Sequence, residues 1–576
     1  GYTDPQGTVL AEHVAFLDSC LDLVRATADR PDDAKFRWAV ESLWSFEQWA
    51  AARSPERVRE FVDYVRAGQI ELTALPYNLH TDTCSTDELH ELLRLARTVR
   101  ERYGVEFTSA MQTDVPGTVA GLPDALAQIG VRYLSVAHNW AGRSVPHLNG
   151  GQHLPRLFRW RSPAGNSVLT WMTDSPHGLA YMEGSVLGFD TSYEEVDGLL
   201  PAYLTALATQ PYPFPPGMFG WHGDAVHDRE PYPWDVLHLR VQGMFGDNAP
   251  PRLIMADTVA RWNETWLYPR LRLSRNEDFF RLAGRIQEFE GDWGDWWVEG
   301  VGSGARPLAM ARKAQAAVTG AQTMSGMSAL LGGEALADEA EHSDRVYRSI
   351  SLFNEHTWGA SNPWSDGDEG MHSGEQQWHW KYAHGVNAQD DAATFTDHAA
   401  ARLGEVLPQS GDAVVTYYAT NTTALARTAT VRLFVRESRV PLDRVVEVRD
   451  GRTGKPLPIT VAGQQNPKHR DAGRIVTVHV PDVPPLGHVR LDVVTPEEEA
   501  EATVPTSGPV AAEHPDPLVI QNEHLRVRVD LSRACIASIV ELATGRELVN
   551  ADAVVGFNAY VYDTYTTAGG YNHQSN

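Results

Sequence analysis

The sequence predicts a multi-domain protein in which an α/β domain is followed by a helical region and then by a β-rich region. Three consecutive segments of the 576 residues differ in their helix-like and strand-like patterns and indicate this order. Strand-like and helix-like patterns alternate up to about residue 275, helix-forming residues dominate up to about residue 405, and short β-rich runs follow. Several domains are also expected because single hydrophobic cores rarely serve more than roughly 250–300 residues.

The first region, residues 1–275, has the alternation of strands and helices that is typical of a parallel α/β domain. Apolar residues between positions 9 and 29 recur at spacings of four and three, which predicts an amphipathic helix. Further helices are predicted at residues 55–67, 86–103 and 122–129, and strands at residues 36–39, 69–74, 107–112 and 131–136. Ligand sites in such domains lie at the carboxyl ends of the strands.

The second region, residues 276–405, is predicted to be a helix bundle, with helices at about 307–336, 338–351 and 375–406. The third region, residues 406–576, contains β-rich runs at about 414–419, 430–435, 475–480, 489–494 and 525–529. Turn residues bound these runs, which predicts one or two β-sandwich modules. We expect the sandwich region to be incomplete, because the chain stops shortly after a β-like run.

Composition restricts the compartment and the partners. The net charge of −26 argues against nucleic acid and anionic membranes as partners, and the sequence contains no apolar run of membrane length. The three cysteines form no CxxC pair and are too few for a disulfide framework, which predicts a reducing, cytoplasmic compartment. A homo-oligomer is compatible with the large β-rich region.

The first candidate for chemistry is Asp114, within residues 110–117. A predicted strand ends at about Gln112, and the acid follows almost at once. An Asp at the carboxyl end of a parallel strand suits a nucleophile or a metal ligand. The simpler alternative is an Asp that caps a turn or a helix.

The second candidate is residues 291–300, where three acids lie among three tryptophans. Sugar rings pack on aromatic faces, and carboxylates such as Asp292 and Asp295 supply acid, base and hydroxyl contacts. An aromatic wall also raises the pKa of a carboxyl by excluding water, as a general acid requires. The alternative is a Trp-rich core strip with surface acids, because the 17 Trp residues make clustering by chance easy.

The third candidate is His356, which lies beside Glu355 and before a Gly turn. A His in this setting can bind a metal through one ring nitrogen, although most isolated His residues are packed or solvated. Residues 221–228 contain two His and two Asp without a defined ligand spacing, which favours substrate contact over metal binding. The triplet His80-Thr81-Asp82 follows a predicted strand and is expected at the mouth of the α/β domain.

Taken in order, these segments resemble glycoside hydrolase family 38, the α-mannosidases. Residues 111–117 are similar to the family's Trp-Gln-x-Asp-Pro-Phe-Gly segment, although Val115-Pro116 replaces Pro-Phe. Asp295-Trp296-Trp297, with the later Arg306, resembles the family's Asp-rich Tyr-Trp-x-Gly segment. Residues 355–359 are similar to its His-His-Asp-x-x-x-Gly element. Residues 37–41, 68–71 and 521–527 follow further family patterns, so that the resemblance covers nearly the whole chain.

The resemblance implies an irregular seven-stranded-type parallel β/α barrel, a helix bundle that completes the active site, and a β-sandwich. It implies a zinc-dependent retaining hydrolase of α-mannosides or mannose-containing oligosaccharides. In that assignment Asp114 is the nucleophile and a zinc ligand, and His356 is a second zinc ligand. Asp295 is the acid/base. The predicted substrate contacts are Asp292, which is also the alternative acid/base, and the sugar-binding wall formed by Trp296 and Trp297.

One departure from the family concerns the first strand. Family members begin with a strand ending in His-x-Asp, which supplies two more zinc ligands, and this chain begins at Gly1-Tyr2-Thr3. The remaining two ligands and the first barrel strand are therefore expected upstream of residue 1. A site with two protein ligands should hold zinc poorly, since catalytic zinc normally has at least three. We thus expect weak or no activity from these 576 residues alone.

Three alternatives stay open on the residues alone. The first alternative is a non-catalytic carbohydrate-binding relative, the second is a zinc carbohydrate deacetylase, and the third is a glycosidase of α-glucoside specificity. Asp114, Asp295 and His356 in their expected contexts argue against the first. A deacetylase needs a metal-bound water and a His/Asp base, whereas two carboxylates across a glycosidic bond favour a glycosidase.

Overall fold

A computed structural model describes residues 4–137, 156–173, 183–209, 232–242, 248–284, 286–295, 297–334, 336–358, 373–466, 471–496 and 514–561. The chain divides into two compact units. Unit 1 contains residues 1–319, 338–396 and 572–576, and unit 2 contains residues 320–337 and 397–571. The domain boundaries that we predict at residues 275 and 405 stay predictions.

The described helices are α1 Gln6–Ala26, α2 Leu43–Ala51, α3 Pro55–Arg66, α4 Thr86–Glu91, α5 Arg94–Tyr103, α6 Leu122–Gln128, α7 Glu183–Val186, α8 Tyr193–Thr209, α9 Ile254–Thr265, α10 Asn276–Phe280, α11 Val298–Val301, α12 Ala305–Leu330, α13 Glu339–Asn354 and α14 Ser373–Val406. Short 3-10 turns occur at Asp32–Ala34, Thr81–Thr83 and Gly302–Gly304. No helix in the described part of the chain is long and apolar enough to cross a membrane.

The strands of unit 1 are β1 Trp38–Val40, β2 Ile70–Leu72, β3 Ser109–Thr113, β4 Tyr133–Ala137, β5 Leu157–Arg161, β6 Ser167–Met172 and β7 Gln287–Glu290. β1 and β2 form a parallel pair, and the other five form a sheet of order β3-β4-β6-β5-β7. All neighbours in these sheets are parallel except β5 and β6. All five residues of β3 are buried, as expected for a parallel strand covered on both faces.

The predicted elements of unit 1 recur with small shifts at their ends. On α1, Leu17, Leu21 and Val24 are buried at the predicted spacing of four and three. The helix predicted at residues 86–103 is wrong as a single element, because α4 and α5 are separated at Leu92 and Leu93. Both leucines are buried, so that tertiary packing bends the chain where the apolar pattern alone is continuous.

Unit 2 contains β8 Val415–Asn421, β9 Arg427–Arg436, β10 Glu447–Asp450, β11 Ile459–Asn466, β12 Asp471–Val483, β13 Gly487–Val494, β14 Val519–Gln521, β15 Leu525–Asp530, β16 Cys535–Glu541 and β17 Arg546–Glu547. They form antiparallel sheets of order β10-β13-β8, β11-β12-β9 and β14-β15-β16-β17. Val476, Val478 and Val480 of β12 are buried at alternate positions, which places one face of that strand in a core. The predicted fold class is thus confirmed at the level of a mixed α/β protein with helices and several sheets.

Candidate active site

Asp114 lies directly after β3, at the carboxyl end of the sheet. Its backbone N–H donates to the carbonyl of Ala137 at the end of β4, at 2.8 Å. Its φ of 67° is left-handed, a conformation that is uncommon outside glycine and concentrates at functional sites. About a quarter of the side chain is exposed, at 23%. The structure therefore presents a partly accessible carboxyl where α/β sheets bind ligands.

His356 contacts this carboxyl. Its Nε2 lies 3.1 Å from Asp114 Oδ2, and its Nδ1 lies 2.9 Å from Glu355 Oε1 and 3.1 Å from the carbonyl of Asn78. Since both neighbours of Nδ1 are acceptors, Nδ1 carries a proton and Nε2 faces Asp114. Burial alone lowers the pKa of His356, but Glu355 and Asp114 outweigh burial and hold the pKa well above its usual value.

Two loops bring His356 to the strand ends. The segment after β2 pairs with the segment after α13 in an antiparallel bridge between Leu79 and Glu355. The backbone N–H of His356 donates to the carbonyl of Asn78 at 3.0 Å, and that of His80 donates to Asn354 at 2.9 Å. These hydrogen bonds explain how residues far apart in sequence reach one site.

Asn78 is a site residue that our sequence analysis missed. Its side-chain Nδ2 donates to Glu41 Oε1 after β1 at 2.8 Å, and its Oδ1 accepts from the N–H of Thr113 at 3.0 Å. It therefore joins the ends of β1 and β3 to the His356 loop. An Asn a few residues after a strand is too common for the sequence to single it out.

A buried ion pair lies behind His356. Lys381 of α14 is fully buried, and its Nζ donates to Glu355 Oε2 at 3.0 Å and to the carbonyl of Leu352 at 2.9 Å. Burial raises the pKa of Glu355, but Lys381 and His356 outweigh burial and lower it well below its usual value. Thr357 donates to the same carboxylate through its N–H and its hydroxyl. Glu355 is therefore a satisfied anion that orients the imidazole.

Asp295 and His80 form a second buried pair. Asp295 Oδ2 lies 2.5 Å from His80 Nδ1, and the exposed fractions of the two side chains are 0% and 2%. The other oxygen, Oδ1, accepts the backbone N–H of Trp297 at 3.0 Å. Each carboxylate oxygen therefore has a nitrogen within hydrogen-bond distance. The sequence singled out both residues separately, and nothing in it indicated that they pair.

The first cluster, which contains Asp114 and His356, lies beside the second cluster, which contains Asp295 and His80. Thr118, shortly after Asp114, forms an antiparallel bridge with Trp293, through hydrogen bonds of 2.7 and 3.2 Å. The ring of Trp297 stacks beside the imidazole of His356, with centroids 6.5 Å apart and planes 11° apart. The structure therefore brings together four residues that we predict from sequence, namely Asp114, His356, Asp295 and Trp297.

The close approach between the clusters depends on Gly117. A Cβ at Gly117 would overlap the backbone of Gly294 and the amide nitrogen of Asp295. We expect Gly117→Ala to lower the free energy of unfolding by about 1–3 kcal/mol, because backbone atoms on both sides must shift. Urea unfolding measures this loss. Gly294→Ala is the matched control, since its Cβ meets no described atom within 4 Å. Equal stability of the two variants would contradict the prediction.

The remaining predicted residues have different surroundings. Asp292 is exposed and accepts the backbone N–H of Ala120 at 2.5 Å. Trp293 is a core residue, with its ring centroid 4.2 Å from that of Trp160. Trp296 and the cluster at residues 221–228 lie outside the described residues.

Comparison with known proteins is decisive for the family. The profile described as "Glycosyl hydrolases family 38 N-terminal domain" matches residues 1–289, half of the chain. The chain belongs to glycosyl hydrolase family 38. Its fold is similar to an alpha-mannosidase from Enterococcus faecalis V583, with a TM-score of 0.66 and 14% identity, over 95% of this chain and 60% of that one.

A second solved structure also resembles this family 38 chain. It is a protein in glycosyl hydrolase family 38 from Enterococcus faecalis, with a TM-score of 0.61 and 13% identity, over 94% of this chain and 58% of that one. The chain thus spans about three fifths of the length of both structures. At these identities the likeness shows the fold. No curated protein sequence matches the chain.

Proposed function

We propose that this family 38 protein is a zinc-dependent retaining glycoside hydrolase that cleaves α-mannosidic bonds through a covalent glycosyl-Asp intermediate. The observation that carries the proposal is Asp114, a partly exposed carboxyl at the end of β3, 3.1 Å from His356 and beside a second cluster of carboxyls. Two carboxyl groups with different surroundings are what a retaining glycosidase needs.

In this proposal Asp114 attacks the anomeric carbon and forms the glycosyl-enzyme. A second carboxyl protonates the leaving oxygen and then takes a proton from the water that releases the sugar. The family resemblance assigns this second role to Asp295, with Asp292 as the alternative. Trp297, partly exposed beside His356, supports a sugar-binding wall, for which we also propose Trp296.

The residues present fit zinc by their chemistry. Asp114 offers a carboxylate oxygen and His356 offers Nε2, while Glu355 holds the opposite ring nitrogen in the carboxylate–histidine arrangement of metal sites. A catalytic zinc normally has at least three protein ligands, so that we propose further ligands from outside the described residues. When bound, zinc would orient sugar hydroxyls and favour the ionised form of the Asp114 carboxyl.

We also propose the finer architecture that the family resemblance implies, an irregular β/α barrel followed by a helix bundle and a β-sandwich. The parallel β1–β2 pair and the mostly parallel five-stranded sheet support the barrel, and the antiparallel sheets of unit 2 support the sandwich. The substrate is an α-mannoside or an oligosaccharide. The few cysteines favour a cytoplasmic location.

Zinc removal tests the proposal. We expect the purified natural protein to hydrolyse an aryl α-mannoside only with zinc bound. Treatment with a chelator should abolish activity, and added zinc should restore it. Proton NMR of early product should show the α-anomer, as retention requires. Inversion, or full activity after metal removal, would contradict the proposal. Acetate release by Asp114→Ala from an acetylated sugar would instead support a deacetylase.

A further inference from the structure

Arg240 is a buried cation next to β3, and our sequence analysis assigned it no role. It lies in the described segment 232–242, and its backbone carbonyl accepts the N–H of Gly184 at 2.7 Å. Its residue is 7% exposed, and no carboxylate of the described residues forms an ion pair with it. Burial lowers the pKa of Arg240 to about 10, although Glu41 and Glu183 raise it, so that the guanidinium is charged at neutral pH. An Arg is rarely buried without such a partner, which makes this position unusual.

The guanidinium of Arg240 binds two neighbouring strands. Its Nη1 donates to Thr113 Oγ1, on the last residue of β3, at 2.5 Å. Its Nη2 donates to the carbonyl of Ser135 at 2.7 Å and to Ser135 Oγ at 2.9 Å, on β4. Its Nε also donates to Ser135 Oγ, at 3.3 Å, and both partner residues are buried. Arg240 therefore joins β3 to β4 through side chains, in addition to the hydrogen bonds of the sheet.

Asp114 follows directly after this junction of the two strands. Its N–H donates to the carbonyl of Ala137, the last residue of β4, at 2.8 Å. Thr113 is held through its backbone as well, because its N–H donates to Asn78 Oδ1 at 3.0 Å. A left-handed φ such as the 67° of Asp114 persists in residues other than glycine where the surrounding structure fixes it. The chain is fixed in this way at the residue immediately before Asp114.

We propose that Arg240 is a positioning residue for Asp114. Its guanidinium holds Thr113 and Ser135 together, at the ends of the two strands. The end of β3 then keeps Asp114 in the left-handed conformation in which its Oδ2 lies 3.1 Å from His356 Nε2. A planar fork of N–H donors suits this task, because one side chain binds acceptors on two strands at fixed angles. The consequence for catalysis rests on the proposed function, in which Asp114 is the nucleophile and a zinc ligand.

Amide hydrogen exchange tests the inference independently of activity. The Asp114 N–H should exchange about tenfold faster in Thr113→Val than in wild type, because Val cannot accept the hydrogen bond from Arg240. Thr113→Ser keeps the hydroxyl and should exchange as wild type does. Both substitutions change few atoms, so that both proteins should fold. Exchange of the Asp114 N–H at the wild-type rate in Thr113→Val would overturn the inference.

Variants of Arg240 itself distinguish positioning from general destabilisation. Exchange of the Asp114 N–H should be fastest in Arg240→Met, which has no donor, and intermediate in Arg240→Lys, which keeps a charge without the planar fork. Arg474→Met is the matched control, because Arg474 is a buried arginine of unit 2 that donates to the carbonyls of Pro441 and Arg444. It should leave this exchange unchanged. Equal acceleration in Arg240→Met and Arg474→Met would overturn the inference.

Zinc affinity and steady-state kinetics connect the inference to the proposed function. Thr113→Val should bind zinc about tenfold more weakly than wild type, since one proposed donor is less well placed. With zinc saturating, its kcat for an aryl α-mannoside should fall about 10²-fold, because small misplacements of a reacting group slow the reaction by that scale. KM should change little, because the substitution removes no proposed contact to the sugar, and Thr113→Ser should restore both values.

The two proposals fail in different ways. A wild-type protein that neither binds zinc nor cleaves a mannoside would refute the proposed function, and the exchange measurement would still decide whether Arg240 positions Asp114. Fast exchange in Thr113→Val with the kcat and zinc affinity of wild type would overturn the inference, because the junction of β3 and β4 would then not position the reacting carboxyl.

Discussion

Replacing Asp114 by Ala is expected to lower kcat for an aryl α-mannoside by at least about 10³-fold, the scale seen when a covalent nucleophile is removed. Asp114 is the carboxyl at the end of β3, its φ of 67° is left-handed, and its Oδ2 lies 3.1 Å from His356 Nε2. The substitution also removes one of the two zinc donors that we propose, so that the zinc affinity of the protein should fall with the activity.

Two further variants test the assignment of Asp114 as the nucleophile. Asp114→Asn keeps the size of the side chain and an oxygen near His356, but it cannot form the glycosyl ester, and we expect activity as low as that of Asp114→Ala. Asp29→Ala is the matched control, an exposed acid after α1, and should be as active as wild type. Turnover by Asp114→Asn above about 10% of wild type would contradict the assignment of the nucleophile.

Asp114 could be predicted from sequence because its signals are local. A short buried strand, an acid directly after it and a Pro-Gly turn all lie within residues 109–117, and the structure reproduces that order. His356 was predictable from its neighbours in the same way. Its proximity to Asp114 depends on the pairing of residues 78–80 with 354–356, which no local pattern encodes.

The pairing of side chains in the second cluster could not be predicted from the sequence. His80 and Asp295 are 215 positions apart, and each is compatible with a surface or a catalytic role when considered alone. The three tryptophans of residues 291–300 could not be ranked either, because burial depends on tertiary packing. Trp293 packs on Trp160 in the core, whereas Trp297 lies beside His356.

The single helix that we predicted over residues 86–103 illustrates the same limit. The apolar pattern runs through Leu89, Leu92 and Leu93 without interruption, and it contains neither Gly nor Pro before residue 104. The break is associated with Glu88, which is buried in α4 and accepts from Asn354 at 2.9 Å and Gln315 at 2.8 Å. Because these partners lie on α13 and α12, only the assembled unit determines where α4 ends.

The sequence does not indicate that Lys381 supports the candidate site. It follows aromatic residues on a long helix, a place where a Lys is usually solvated. In the structure it is fully buried and donates to the carbonyls of Leu352 and Phe353 near the end of α13 and to the carbonyl and carboxylate of Glu355. Charges therefore alternate along the line from Lys381 through Glu355 and His356 to Asp114, with each group stabilising its neighbours.

Lys381→Met is therefore expected to lower the free energy of unfolding by about 3 kcal/mol, the scale for breaking a buried ion pair by removing one partner. Glu355 would lose its main positive neighbour, and the carbonyls that end α13 would lose a donor. We also expect zinc affinity to fall about 10–100-fold, because Glu355 fixes the ring of His356. Urea unfolding and zinc titration measure the two effects.

A double variant distinguishes a role of the Lys381–Glu355 ion pair in orienting His356 from a role in stability alone. Glu355→Gln combined with Lys381→Met removes both charges, so that much of the lost stability should return, as it does when a buried ion pair is replaced by neutral groups. Zinc affinity should stay low, since a neutral amide in place of the Glu355 carboxylate cannot hold the imidazole as the carboxylate does. Lys313→Met, at an exposed position of α12, should match wild type in both measurements. Wild-type zinc affinity in the double variant would show that the ion pair stabilises unit 1 without orienting His356.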